Sequence, residues 1–110
     1  MEGSSQLTIT GSLTIPAGKE FNINGNGLLK VRGNWISQGI FSSGTGTVEF
    51  YGSANGAISG TNPPTFNKVI ISKTIPYYFD FNINTTVNDI FIVMPGATYK
   101  VKNGKTLIIE

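Results

Sequence analysis

Six side-chain carboxylates, Glu2, Glu20, Glu49, Asp80, Asp89 and Glu110, are the groups in this chain best suited to acid–base chemistry. Two of them facing one site about 5–9.5 Å apart would be the arrangement for glycoside hydrolysis. In a stacked β-architecture, residues one turn apart come close, so Glu20 and Glu49 are the pair to consider. Nothing around either suggests a pocket or a supporting group, and solvated surface charge is the expected role. The chain has no histidine and no cysteine. It therefore lacks the commonest general base, and it can form neither disulfides nor thiolate ligands. No catalytic residue, no enzyme activity and no cofactor are expected.

Two further stretches could bind. Asp80-Phe81-Asn82-Ile83-Asn84, with Asn88-Asp89 nearby, has the spacing of a D-x-N-x-N calcium loop. Such loops need a glycine at the sharp turn and a bidentate glutamate at the twelfth position, and Thr85 and Phe91 stand there instead. The alternation of Phe81 and Ile83 with polar residues reads better as a strand with one apolar face, leaving a weak calcium site as the lesser reading. Tyr77, Tyr78, Phe79 and Phe81, following Pro76, form the densest aromatic cluster. Outward rings could stack on a glycan or anchor a protein partner. We expect Phe79 and Phe81 in the core, and Tyr77 and Tyr78 as the candidate contact residues.

The frame that would hold these residues is legible in composition and period. The chain has 110 residues, enough for one domain. Charged residues make up only 13% and glycines number 14, a balance that suits neither a helical bundle nor a disordered chain. The net charge is +2, but only Lys100, Lys102 and Lys105 cluster. No basic face with interleaved aromatics is present, so nucleic acid is not an expected partner. The three lysines fit better as protection of an exposed strand edge. No apolar run approaches the roughly 20 residues of a membrane span. The opening MEGSSQ lacks a basic region followed by an apolar one, so no export signal is expected in these residues.

Apolar residues recur as i, i+2 pairs: Leu7/Ile9, Leu13/Ile15, Phe21/Ile23, Leu29/Val31, Val48/Phe50, Val69/Ile71, Phe79/Phe81, Phe91/Val93, Tyr99/Val101 and Leu107/Ile109. That spacing places both members on one face of a strand. Turn residues such as Asn24-Gly25, Asn55-Gly56 and Asn103-Gly104 separate the pairs. Sliding the sequence by 78 positions lays residues 7–31 over 85–109 with the apolar positions kept. Short, self-similar units of this kind cannot bury their apolar face alone and are expected to stack. The fold expected is all-β, a short parallel β-solenoid of about five coils. Its boundaries are residues 7–110, with 1–6 as an N-terminal tail or cap. An antiparallel β-sandwich is the alternative. Within the glycine-rich run 33–52, Gly33, Gly39, Gly44, Gly46 and Gly52 should mark corners, and Trp35, Phe41, Val48 and Phe50 should point inward.

The same run carries a resemblance. Gly33-Asn34-Trp35, Gly39 to Phe41, Gly44 to Phe50, Gly52, Ile58 to Gly60 and Phe66 to Ile71 follow the pattern G-N-W-x(4)-G-x-F-x-x-G-x-G-T-V-x-F-x-G, then I-x-G and F-N-K-V-x-I. Residues 12–31 are similar to "L-T-I-x-x-G" β-helical segments. Both resemble repeats of very large exported surface proteins of Bacteroidetes-type bacteria. The resemblance implies a secreted or cell-surface, adhesin-like structural segment with no catalytic residues. The aromatic stretch 77–84 and IPAGKEF depart from that pattern and suggest a diverged terminal unit. A solenoid cut from its neighbours leaves strand edges at both ends, so either residues 1–6 and 105–110 cap it or it associates end to end.

Overall fold

A computed structural model describes all 110 residues and contains strands and turns but no helix. The first coil is β1 (Gln6–Ile9), β2 (Leu13–Ile15) and β3 (Glu20–Asn22), and the second is β4 (Leu28–Val31), β5 (Trp35–Ser37) and β6 (Ile40–Ser42). Next come β7 (Thr47–Gly52), β8 (Gly56–Gly60), β9 (Thr65–Lys73) and β10 (Phe79–Phe81). The chain closes with β11 (Thr85–Val93), β12 (Tyr99–Val101) and β13 (Leu107–Ile109). Every strand pairing is parallel, which excludes the antiparallel sandwich and gives the β-solenoid of about five coils.

The registers define three walls. On the first, Leu7, Leu29, Val48, Val69 and Phe91 lie side by side in successive coils. On the second, Leu13 lies beside Trp35, Trp35 beside Ile58, Ile58 beside Phe81 and Phe81 beside Val101. The third wall is made in two pieces. β3 pairs with β6, while Phe66, Val87 and Ile109 align at the start of β9, in β11 and in β13. β9 and β11 thus run round a corner from the third wall to the first. The pairing slips by one residue between Val87 and Ile90 because that corner holds one more residue in β11 than in β9.

The 78-residue self-match therefore has a different meaning from a whole number of coils. It lays β1 on the start of β11 and β2 on its end, so each strand falls on a strand of the neighbouring wall. What repeats is the strand-and-turn unit, and all three walls use the same two-residue alternation.

Inward residues stack from coil to coil without gaps. Leu29, Val31, Trp35, Val48, Phe50, Ile58, Phe66, Val69, Ile71, Phe79, Phe81 and Val87 are all fully buried. Trp35 meets Phe41, Phe50 and Phe66 edge-on, with ring centroids 4.8, 6.0 and 5.1 Å away. Phe50 stacks on Phe79 at 4.0 Å. These are favourable aromatic geometries in a core that is mostly side-chain rings at its middle.

At the corners, polar side chains bond to the backbone one coil on. Ser12 Oγ accepts from Asn34 N (2.9 Å), Asn34 Oδ1 from Ala57 N (3.1 Å), Asn55 Oδ1 from Tyr78 N (3.0 Å) and Asn84 Oδ1 from Thr106 N (3.0 Å). Each satisfies an amide that the bending chain takes out of the ladder. Of the corner glycines, Gly52 has φ +90°, and a Cβ there would meet the Arg32 stem at 3.2 Å. At Gly39 the limit is space, since a Cβ would run into the Pro16 and Lys19 carbonyls. Five coils make a body only 33 × 28 × 28 Å, about as wide as it is tall.

Candidate functional site

The turn after β9 presents Thr74 to Tyr77, closed by Tyr77 N donating to Thr74 O (2.7 Å). One coil on, Met94 to Ala97 makes the matching turn, with Ala97 N donating to Met94 O (2.9 Å). Ile75 packs over Gly96, where an added Cβ would lie 3.3 Å from its Cδ1. Ile75 is 72% exposed, and Met94 and Tyr77 are also exposed. Tyr78 differs. It is half-buried, and Lys100 Nζ sits 4.8 Å above its ring, a cation–π contact that occupies one face. The two tyrosines thus have separate surroundings, and the exposed aliphatic neighbours of Tyr77 were not legible as part of the patch. Phe79 and Phe81 are fully buried.

The carboxylates are distributed, and each of four has a polar partner in another coil. Glu2 accepts from Asn24 Nδ2 (2.8 Å), Glu20 from Ser42 Oγ (3.0 Å) and Glu49 from Ser72 Oγ (2.6 Å), while Asp89 lies 3.6 Å from Lys68 Nζ. Glu20 is on the third wall and Glu49 on the first, so the pair does not share a face. No group of three or more acidic residues comes together, and the surface has no pocket. In the Asp80–Asn84 stretch the side-chain oxygen of Asn84 is engaged by Thr106 N, and Asp80 Oδ1 is buried without a partner.

One feature escaped the sequence. Lys73 ends β9 at an inward position, 2% exposed, and donates to Arg32 O and to Tyr51 O (2.8 Å). Burial, and then the charge of Arg32, lower its pKa from 10.5 to about 8. The signal was there in the continued alternation Val69, Ile71, Lys73.

At the last coil, the cap expected as one alternative for residues 105–110 is not formed. Val93, Tyr99, Val101 and Ile109 continue the inward rows, yet they are 36–49% exposed because nothing stacks above them. Residues 105–110 do not fold over that end, since Leu107–Ile109 form the strand β13 of the fifth coil itself. At the opposite end, Met1 packs on the core and Glu2 bridges to Asn24 in parallel, starting the ramp of the first coil.

The fold defines the class to which the chain belongs structurally, a three-walled parallel β-solenoid. Comparison with protein-family models, with curated proteins and with solved structures found no match.

Proposed function

We propose that this chain is a non-catalytic structural and interaction module, a β-helical segment of an exported bacterial cell-surface or adhesin-like protein that associates end to end. The observation that carries this reading is the continuous parallel stack, whose three walls are filled from coil to coil by buried apolar side chains. The surface resemblance of residues 33–71 supplies the exported setting. Stability in this reading comes from stacked apolar layers and continuous backbone pairing, with no cofactor. Surface protease treatment of intact producing cells, followed by immunodetection of the chain, tests it. Loss of the signal from intact cells is expected, whereas a signal confined to the cytoplasm and untouched by protease would overturn the exported role.

A second reading is favoured by the exposed turn at Ile75 and Tyr77. An aliphatic–aromatic ridge of this kind suits a protein partner better than a sugar, which would need a free ring face, and Lys100 covers one face of Tyr78. Tyr77→Ala should then lower affinity for a surface-protein ligand at least tenfold, corresponding to about 1.4 kcal/mol. An unchanged affinity in a titration would remove Tyr77 from the contact.

A further inference from the structure

We infer that Asn103 is a site of spontaneous covalent modification, the one Asn-Gly pair of four that the fold leaves free to cyclise, lose ammonia and become aspartate or isoaspartate. The pairs are Asn24-Gly25, Asn26-Gly27, Asn55-Gly56 and Asn103-Gly104. All four have the residue types the reaction needs, because a glycine nitrogen has no adjacent Cβ to block the approach of the carboxamide. The fold separates them.

Corner length sets Asn103 apart. Phe81 pairs with Val101 and Thr85 with Leu107, so the corner between the second and third walls holds three residues in the fourth coil, Asn82 to Asn84, and five in the fifth, Lys102 to Thr106. Lys102 N still donates to Phe81 O (2.9 Å) and Thr106 N to Asn84 Oδ1 (3.0 Å), so the extra length goes into the turn between them. That turn closes through Lys105 N donating to Lys102 O (2.9 Å). Gly104 has φ +84°, and nothing lies within 4 Å of the place a Cβ would take. Asn103 is exposed, and neither its carboxamide nor the Gly104 amide hydrogen-bonds to the rest of the chain. The freedom comes from the lengthened corner.

The other pairs are held. Gly56 N donates to Tyr78 O (3.1 Å) and Asn55 Oδ1 accepts from Tyr78 N (3.0 Å), so the attacking and the attacked groups are both engaged. Asn24 Nδ2 donates to Glu2 Oε2 (2.8 Å), and a Cβ on Gly25 would lie 3.3 Å from Gly3 Cα. Gly27 is buried, with Met1 Cε and Ser5 O each 3.0 Å from where its Cβ would be, and its carbonyl accepts from Thr47 N (2.9 Å). These contacts hold the backbone until the corner opens locally. At Asn103 the Gly104 nitrogen gives up its proton to water and attacks Cγ. The N–Cγ bond forms, the Cγ–Nδ2 bond breaks, and Nδ2 takes a proton to leave as ammonia. Water then opens the succinimide at either carbonyl, giving aspartate or isoaspartate with no oxidant or reductant consumed. Lys102 and Lys105 flank the pair, and their charge favours the ionised amide that attacks. The product lowers the net charge of +2 by one and sets a carboxylate between the two lysines.

The full chain is incubated at mildly alkaline pH, folded and in urea, and sampled over time by peptide mapping in a mass spectrometer. Conversion appears as a rise of about 1 Da in the peptide holding the pair, and enzymatic carboxyl methylation marks the isoaspartate share. In urea the four pairs should react at similar rates. In the folded chain Asn103 should keep its unfolded rate within about twofold, while Asn55, which must first lose two hydrogen bonds, slows at least ~tenfold. Asn24 and Asn26 should also slow on folding. A folded Asn103 as slow as Asn55 would overturn the inference, and so would faster conversion at Asn24 or Asn26. Gly104→Ala, in a chain whose circular dichroism spectrum matches wild type, should suppress conversion at Asn103, because the added Cβ crowds the attacking nitrogen. An undiminished rate in that variant would place the mass change outside this pair and overturn the assignment.

Discussion

Replacing Phe50 with alanine is expected to destabilise the fold by about 3–5 kcal/mol and to lower its melting temperature by roughly 15 °C or more. Phe50 has no exposed surface and lies among Trp35, Phe66 and Phe79, so four rings from three coils share its space. Removing the ring forfeits its burial and leaves a cavity that neighbours on a paired backbone cannot close. It also removes the stacked contact with Phe79, worth about 0.5–1.5 kcal/mol beyond burial. Phe21→Ala is the control. That ring is only partly buried in the first coil and meets Phe41 at 6.2 Å, so a smaller loss is expected. Thermal unfolding followed by circular dichroism measures both. Equal shifts would mean that the middle coils are no better packed than the first, contrary to the geometry.

Lys73→Met should cost about 2 kcal/mol near neutral pH, with a pH signature that sets it apart from an ordinary core change. Methionine keeps the length of the stem but leaves Arg32 O and Tyr51 O without their donor. Relief from burying an amine beside Arg32 offsets part of that loss. In the folded chain the Lys73 ammonium gives up its proton at about 8, whereas in the unfolded chain it keeps it to 10.5. Between those values the unfolded chain binds more protons, so this group adds stability as pH rises through the window, and that contribution is lost as pH falls through 8. The variant has no such group. The difference in unfolding free energy between wild type and Lys73→Met should therefore widen from pH 7 to pH 10 in urea titrations. A constant difference would show that Lys73 titrates alike in both states.

Lys73 also marks where sequence reading stopped. The alternation at Leu29/Val31, Val48/Phe50 and Val69/Ile71 identified strands and their inward faces, because a period of two follows from the pleat whatever the sheet. Corner residues were visible for the same reason, as Gly52 and Asn55 have few other uses in such a chain. Which strands share a wall was much harder to see, because it depends on corner length. Four residues, Ser43 to Gly46, separate β6 from β7, yet Asn67 alone separates Phe66 from Lys68 at the corresponding corner one coil on. That change moves the third wall along the chain and puts the 78-residue self-match out of phase with the coils. Lys73 went unnoticed because its role depends on two carbonyls from other coils, Arg32 and Tyr51. The candidate patch was half legible. Tyr77 is exposed in the Pro76-led turn, but the stacking of its neighbour Ile75 over Gly96 of the next coil has no trace in the linear sequence.

The coil registers have a kinetic consequence. Each stacked pair on the first wall, Leu7 with Leu29 or Val48 with Val69, is separated by about one coil of chain, never by the length of the domain. The loop that must close for each new layer is therefore of constant size, and its closure entropy does not grow as layers are added. In an ordinary β-fold of rising size, mean contact separation grows and the search slows. Here the costly event is the first two coils meeting, and later coils add to an existing template, as in other repeat architectures. Zipper growth of that kind makes the folding rate a property of one coil pair, so a longer solenoid of the same coils would face the same initial barrier.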